Sequence, residues 1–145
     1  MMVYVDTSVL VALFTNEGTA SRIALWYANE PRPLMSGDWC VTEFASALAL
    51  KERTGQLACE QCDTAWQVFS EFCSGGLRLL PLEREIFANA AHLIRESHNG
   101  LRAGDALHLA LALHVRAETF FTLDTRLAAS AQQNGIPLIK QLKSL

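Results

Sequence analysis

Short apolar runs that end on polar or turn residues alternate along this chain with longer stretches whose apolar positions recur at helical spacing. Val3-Tyr4-Val5 is a β-branched and aromatic run closed by Asp6, and Val9, Leu10, Leu13 and Phe14 then mark one face of a helix over Thr7 to Thr15. Glu17-Gly18 interrupts the pattern, a second helix spans about Thr19 to Asn29, and Pro31-Arg32-Pro33 ends it, because proline cannot continue the hydrogen-bond ladder. Pro33 to Met35 reads as a short strand.

Asp38 or Ser36 is placed to cap a helix from about Trp39 to Arg53 whose inner face is Val41, Phe44, Ala45 and Leu48, with Gly55 as its stop. Cys62, Trp66, Phe69 and Cys73 recur at i, i+4, i+7 and i+11, opposite Glu60, Asp63, Gln67 and Glu71. Gly75-Gly76 turns the chain into a buried strand at Leu77 to Leu82, and Ile86, Ala90, Leu93 and Ile94 give the next helix its core side. After the turn at Asn99-Gly100, Leu101 to Ala117 is the most apolar helix. A strand at Phe120 to Leu123 ends at Asp124, a helix follows from Thr125 to Gln133, and Ile136 to Ile139 is the last expected strand. Strands separated by helices in this way predict an α/β fold with a mainly parallel sheet covered on both faces. Its 145 residues fit a single domain over 1–145.

Composition narrows the chemistry. Half the residues are hydrophobic and 19% are charged, which excludes a disordered chain, and a net charge of −3 gives no global attraction to nucleic acid. The apolar run at Leu107 to Val115 is broken by His108 and His114 and is far short of the ~20 residues that cross a bilayer, so no membrane span is expected. No basic leader is evident at the N-terminus, so a cytoplasmic location and reduced cysteines are expected. Cys59-x-x-Cys62 has no second pair and no nearby histidine to complete a zinc set, so these cysteines read as core packing.

Four carboxylates stand where the pattern predicts burial or a strand end. Asp6 and Asp124 follow presumed parallel strands, at the sheet edge where ligands bind in α/β folds. Glu43 interrupts the apolar face of the third helix, and Asp105 lies near the start of the most buried one. Each alone has an ordinary explanation as a cap, a helix-dipole partner or an exposed helix residue. Together they pose a charge problem, since two carboxylates about 5 Å apart repel by about 3 kcal/mol even at an effective dielectric of ~20. No lysine in these segments neutralises them, and an all-oxygen set selects Mg²⁺ or Mn²⁺. Such an ion suits phosphate chemistry, and Arg102 and Arg126, each near a proposed ligand, offer forks matched to phosphate oxygens. His108, three residues after Asp105, can share its helix face; it reads either as a hydrogen-bonded core group or as a residue that orients a carboxylate or touches substrate.

Val3-Tyr4-Val5-Asp6-Thr7-Ser8-Val9-Leu10, Val41-Thr42-Glu43-Phe44-Ala45-Ser46-Ala47-Leu48, Arg102-Ala103-Gly104-Asp105-Ala106-Leu107-His108-Leu109-Ala110 and Thr122-Leu123-Asp124-Thr125-Arg126-Leu127, in that order, resemble the PIN-domain ribonucleases, and in length and layout the VapC toxins of toxin–antitoxin pairs. The resemblance implies a three-layer α/β/α domain with a central five-stranded, mainly parallel sheet, and a Mg²⁺- or Mn²⁺-dependent endoribonuclease that breaks phosphodiesters with metal-activated water. It carries the family's acidic quartet onto Asp6, Glu43, Asp105 and Asp124, as metal ligands and catalytic acids, with Ser8 or Thr7 as the supporting hydroxyl. It further implies an RNA substrate, a homodimer, and a cognate antitoxin whose C-terminal segment crosses the groove. Leu13, Phe14, Leu25, Trp26 and Tyr27 read mostly as core, with dimer or antitoxin surface as the other reading. Other PIN domains act in RNA maturation or decay. Two further alternatives are a phosphatase that forms an aspartyl-phosphate on Asp6, against which stands Ser8 where such enzymes place a second acid, and a metal-free acidic module that binds a basic partner.

Overall fold

A computed structural model describes residues 1–140. Its elements are β1 (Val3–Val5), α1 (Thr7–Phe14), α2 (Ala20–Ala28), β2 (Leu34–Gly37), α3 (Trp39–Arg53), α4 (Cys59–Cys73), β3 (Leu77–Leu80), α5 (Arg84–Glu96), α6 (Ala103–His114), β4 (Thr119–Phe121) and α7 (Thr125–Gln133). The strands lie in the order β3-β2-β1-β4, with every pairing parallel. Val3 is in register with Leu34 on one side and Thr119 on the other.

Alternation along each strand builds the two outer layers. Val3, Val5, Leu34 and Phe121 point into a core made with α1 to α4, where Leu10, Ile23, Phe44 and Phe69 are buried. Tyr4, Met35 and Phe120 point the other way, into a core made with α5, α6 and α7 through Ile86, Ala90, Leu109, Leu111 and Leu127. The sheet is therefore sandwiched between helices, as a parallel sheet must be. Because β1 has β2 on one side and β4 on the other, the chain reverses its direction of travel across the sheet at β1, and the carboxyl ends of β1 and β4 flank that switch point.

Several details depart from expectation. Among the described residues the sheet has four strands, not five. The segment Ile136 to Ile139 makes only an isolated bridge, Leu138 to Phe120, with the Phe120 amide donating to the Pro137 carbonyl at 2.9 Å. Pro137 has no N–H to offer a ladder, so the segment rests on the sheet edge without extending it. Asp38 stands at the start of α3 but makes no capping bond, its backbone being already helical at φ −52°, and Ser36 lies within β2. Trp66 is 38% exposed, and the buried stripe of α4 is Cys62, Ala65 and Phe69. Of the apolar residues in the first two helices, Leu13, Phe14 and Trp26 pack in or against the core, whereas Leu25 and Tyr27 are exposed. All four cysteines are free thiols. No helix among the described residues is long and apolar enough to cross a membrane. Residues 141–145 of the expected domain lie outside the described ones.

Candidate active site

Asp6 leaves β1 and serves as the N-cap of α1, so its place is set by the junction of strand and helix. Its carboxylate is 3% exposed and both oxygens are held. Ser8 Oγ donates to Oδ1 at 2.6 Å, Thr122 Oγ1 donates to Oδ2 at 2.6 Å, and the Val9 amide approaches Oδ1 at 3.4 Å. Both hydroxyls also accept a backbone proton from the segment leaving β4, Ser8 from Leu123 N–H and Thr122 from Asp124 N–H, each at 3.0 Å. The ends of β1 and β4 are thus stitched together around one acid. Burial pushes the Asp6 carboxyl above its ordinary value, partly offset by the hydrogen bonds from Ser8 and Thr122.

Asp124 caps α7, accepting from the Arg126 and Leu127 amides at 2.9 and 3.0 Å through Oδ1. Glu43 projects from α3 toward α6. Its Oε1 accepts from Thr7 Oγ1 at 2.6 Å and lies 2.5 Å from His108 Nε2. Burial alone would raise the Glu43 carboxyl, but the hydrogen bonds from His108 and Thr7 win and hold it below the ordinary value. Asp105 sits in the first turn of α6, and its carboxyl is pushed up first by burial and then by the charges of Asp124 and Glu43, with Arg102 pulling the other way. Like charges close enough to perturb one another are what the sequence pattern predicted.

All four acids line one cleft of about 460 Å³, together with Thr7, Ser8, Arg102, His108 and Glu17. Arg102 bridges two of them, with Nε 3.6 Å from Asp105 and Nη2 3.4 Å from Asp124. Its side chain is 71% exposed, so this is a weak and easily displaced counter-ion. Arg126 is not part of the lining; its guanidinium lies by the Gly100 turn instead. As they stand, no three His, Cys, Asp or Glu side chains among the described residues cage a cation. The donor set nonetheless fits a hard ion. It is all oxygen, it carries surplus negative charge that already disturbs Asp105, and its mobile counter-charge is a single exposed arginine.

Several contributors escaped the sequence reading. Glu17 joins the cleft wall, paired with Lys51 at 2.9 Å. Thr122 carries no signal beyond its place next to a strand. Gly104 is the third: a Cβ there would stand 2.6 Å from Glu43 Oε2, so the absence of a side chain lets α3 bring Glu43 against α6. An Ala-Gly-Asp at a helix start was the only available hint.

Comparison with known proteins bears on the family and the fold. The sequence profile of the PIN domain matches residues 3–133. No curated protein matches the chain. Among solved structures, VapC20 of Mycobacterium tuberculosis, described as a sarcin-ricin loop cleaving toxin, is 18% identical with a TM-score of 0.70 over 88% of this chain and 94% of its own. VapBC2 of Rickettsia felis, bound to a promoter DNA fragment, is 13% identical with a TM-score of 0.66 over 96% and 98%. FitAcB of Neisseria gonorrhoeae is 18% identical with a TM-score of 0.65 over 99% and 100%. At these identities the likeness is one of fold.

Proposed function

This chain belongs to the PIN-domain family, and from that membership and the geometry of the cleft we propose that it is a Mg²⁺- or Mn²⁺-dependent endoribonuclease, the toxin of a toxin–antitoxin pair. The observation that carries the reading is the meeting of Asp6, Glu43, Asp105 and Asp124, drawn from four separate stretches of sequence, on one cleft at the switch point of the sheet. Structural scaffolding does not call for four acids in one pocket; binding a cation does.

In this reading Asp6, Glu43, Asp105 and Asp124 hold the ion. When bound, it supplies Lewis acidity toward a phosphodiester and makes water a better nucleophile at neutral pH. The remaining work belongs to side chains already in place. Ser8 and Thr122 keep both oxygens of Asp6 oriented, and Thr7 fixes Glu43 by one oxygen. Arg102 exchanges its two carboxylates for a substrate phosphate, which its planar fork suits better. Arg126, away from the cleft, is assigned no more than a contact with RNA beyond the cut bond.

Net charge of −3 means that RNA is held through the cation and these arginines. A cognate antitoxin is the partner that this reading implies, supported by solved complexes such as VapBC2 that share the fold. A homodimer acting in the cytoplasm completes the proposal. The test is incubation of antitoxin-free protein with structured and unstructured RNAs in Mg²⁺, Mn²⁺ or chelator, beside Asp6→Asn. Internal cleavage that needs the ion and disappears in the variant supports the proposal. Cleavage in chelator, or none in any condition, refutes it.

A further inference from the structure

His108 is 2% exposed within the stretch of α6 that is buried from Ala106 to Ala112, yet its ring meets polar groups from three other elements. Nδ1 lies 2.7 Å from the Tyr4 hydroxyl on β1, and Nε2 lies 2.5 Å from Glu43 Oε1 on α3 and 3.2 Å from Thr7 Oγ1 on α1. The Gly37 amide donates to the Tyr4 oxygen at 3.1 Å, and the phenol keeps one proton of its own to give, with Nδ1 within its reach at 2.7 Å. Burial keeps that phenol protonated by raising its pKa well above the ordinary value. With Nδ1 accepting, the ring proton sits on Nε2 and points at Glu43 Oε1. The Thr7 hydroxyl donates to the same oxygen, so Thr7 and His108 are two donors sharing one acceptor.

Glu43 is therefore divided. Oε1 is turned to the protein by two donors, and Oε2 lies beside Gly104 on the side of the Trp39 indole, whose N–H also helps hold the Glu43 carboxyl low. Tyr4 in turn is fully buried, its ring stacked on Phe120 with centroids 5.3 Å apart and planes at 4°.

We propose that His108 is a positioning residue for Glu43, held as the Nε2–H tautomer by Tyr4, so that a chain of hydrogen bonds running from β1 through α6 to α3 presents Glu43 Oε2 to the cation. This rests on the cleft being a cation site, and it adds the group that aims one of the ligands. Partners behind a ligand commonly change metal affinity by 10–100-fold when removed. A histidine that merely filled the core would alter stability and leave the affinity of the folded protein alone.

The experiment is a Mn²⁺ titration by calorimetry on the wild type, His108→Leu, His108→Gln and Tyr4→Phe, each verified as folded by circular dichroism, with kcat and KM for RNA measured alongside. His108→Leu is expected to weaken Mn²⁺ binding by about 10–100-fold and to lower kcat with little change in KM. His108→Gln, whose amide N–H can reach the position of Nε2–H, is expected to recover affinity to within a few-fold. Tyr4→Phe should fall between them. A folded His108→Leu that binds Mn²⁺ like the wild type overturns the proposal. Should His108→Leu fail to fold, the imidazole ¹⁵N spectrum of the metal-free protein decides. The Nε2–H tautomer in the wild type, lost or mixed in Tyr4→Phe, upholds the chain; an Nδ1–H or doubly protonated ring, or a spectrum that Tyr4→Phe leaves unchanged, overturns it. A wild type that binds no Mn²⁺ instead brings down the nuclease reading, and the nitrogen spectrum still tests the hydrogen bonds independently.

Discussion

Asp105 pays for its position in the metal-free protein. Its carboxyl value is raised by burial and by Asp124 and Glu43, so the ionised form is less comfortable folded than unfolded. For a raised acid the folded state suffers nothing in acid, below the ordinary value of about 3.9, and loses stability as pH climbs through the folded value. Asp105→Asn should therefore melt higher than the metal-free wild type at pH 7, by a few degrees, and the gap should close as the pH is lowered toward 4. Thermal melts across that range check the sign. Gly104→Ala probes a contact of another kind. Alanine suits a helix better than glycine by up to about 1 kcal/mol, so stability should hold or rise, while the new methyl displaces Glu43 Oε2 and lowers cleavage at least tenfold. Unchanged cleavage rates would show that Glu43 is free to move. At this scale the sequence revealed the acids, because a charge inside an apolar pattern is conspicuous. Thr122, Tyr4 and Gly104 were hidden, because their roles exist only once β4, α6 and α3 are packed against Asp6 and Glu43.

Helix and strand ends do double duty in this molecule. Asp6 and Asp124 are each the cap of the helix that follows and a wall of the cleft, so the ordinary explanation and the chemical one hold together. They can be separated at Asp124. Asparagine caps as well as aspartate, so Asp124→Asn should melt near the wild type while losing cleavage. Asp124→Ala loses the cap too and should be less stable by about 1 kcal/mol, which melting curves and RNA assays read side by side. The ends also explain where the sequence pattern overshot. Phe120 to Leu123 looks like a continuous strand, but Leu123 and Asp124 give their amide protons to Ser8 and Thr122, and β4 stops at Phe121. Hydroxyl side chains took backbone donors from the ladder to build the site. Pro137 likewise cut short the last strand, a signal present in the sequence but outweighed there by its apolar neighbours.

On the scale of the whole molecule, the layered architecture was the most legible feature. Alternation in Val3-Tyr4-Val5 and Phe120-Phe121 sends neighbours to opposite cores, and that sorting needs no long-range information. The strand order is a different matter. Nothing local says that β4 lies beside β1, yet that adjacency is what brings Asp124 and Thr122 to Asp6. Overall charge leads to a further expectation: with −3 on the chain, RNA should bind weakly in chelator and markedly tighter in Mg²⁺, as measured by filter binding with Asp6→Asn as the uncoupled control. Equal affinity in both conditions would mean that the protein grips RNA without the cation.

Mn²⁺ calorimetry on the wild type and on Asp6→Asn, Glu43→Gln, Asp105→Asn and Asp124→Asn tests most directly whether the four carboxylates act as one site. Saturable binding to the wild type is expected, and every one of the four substitutions should weaken it by an order of magnitude or more. Binding that is absent from the wild type, or that survives all four changes, contradicts the single site.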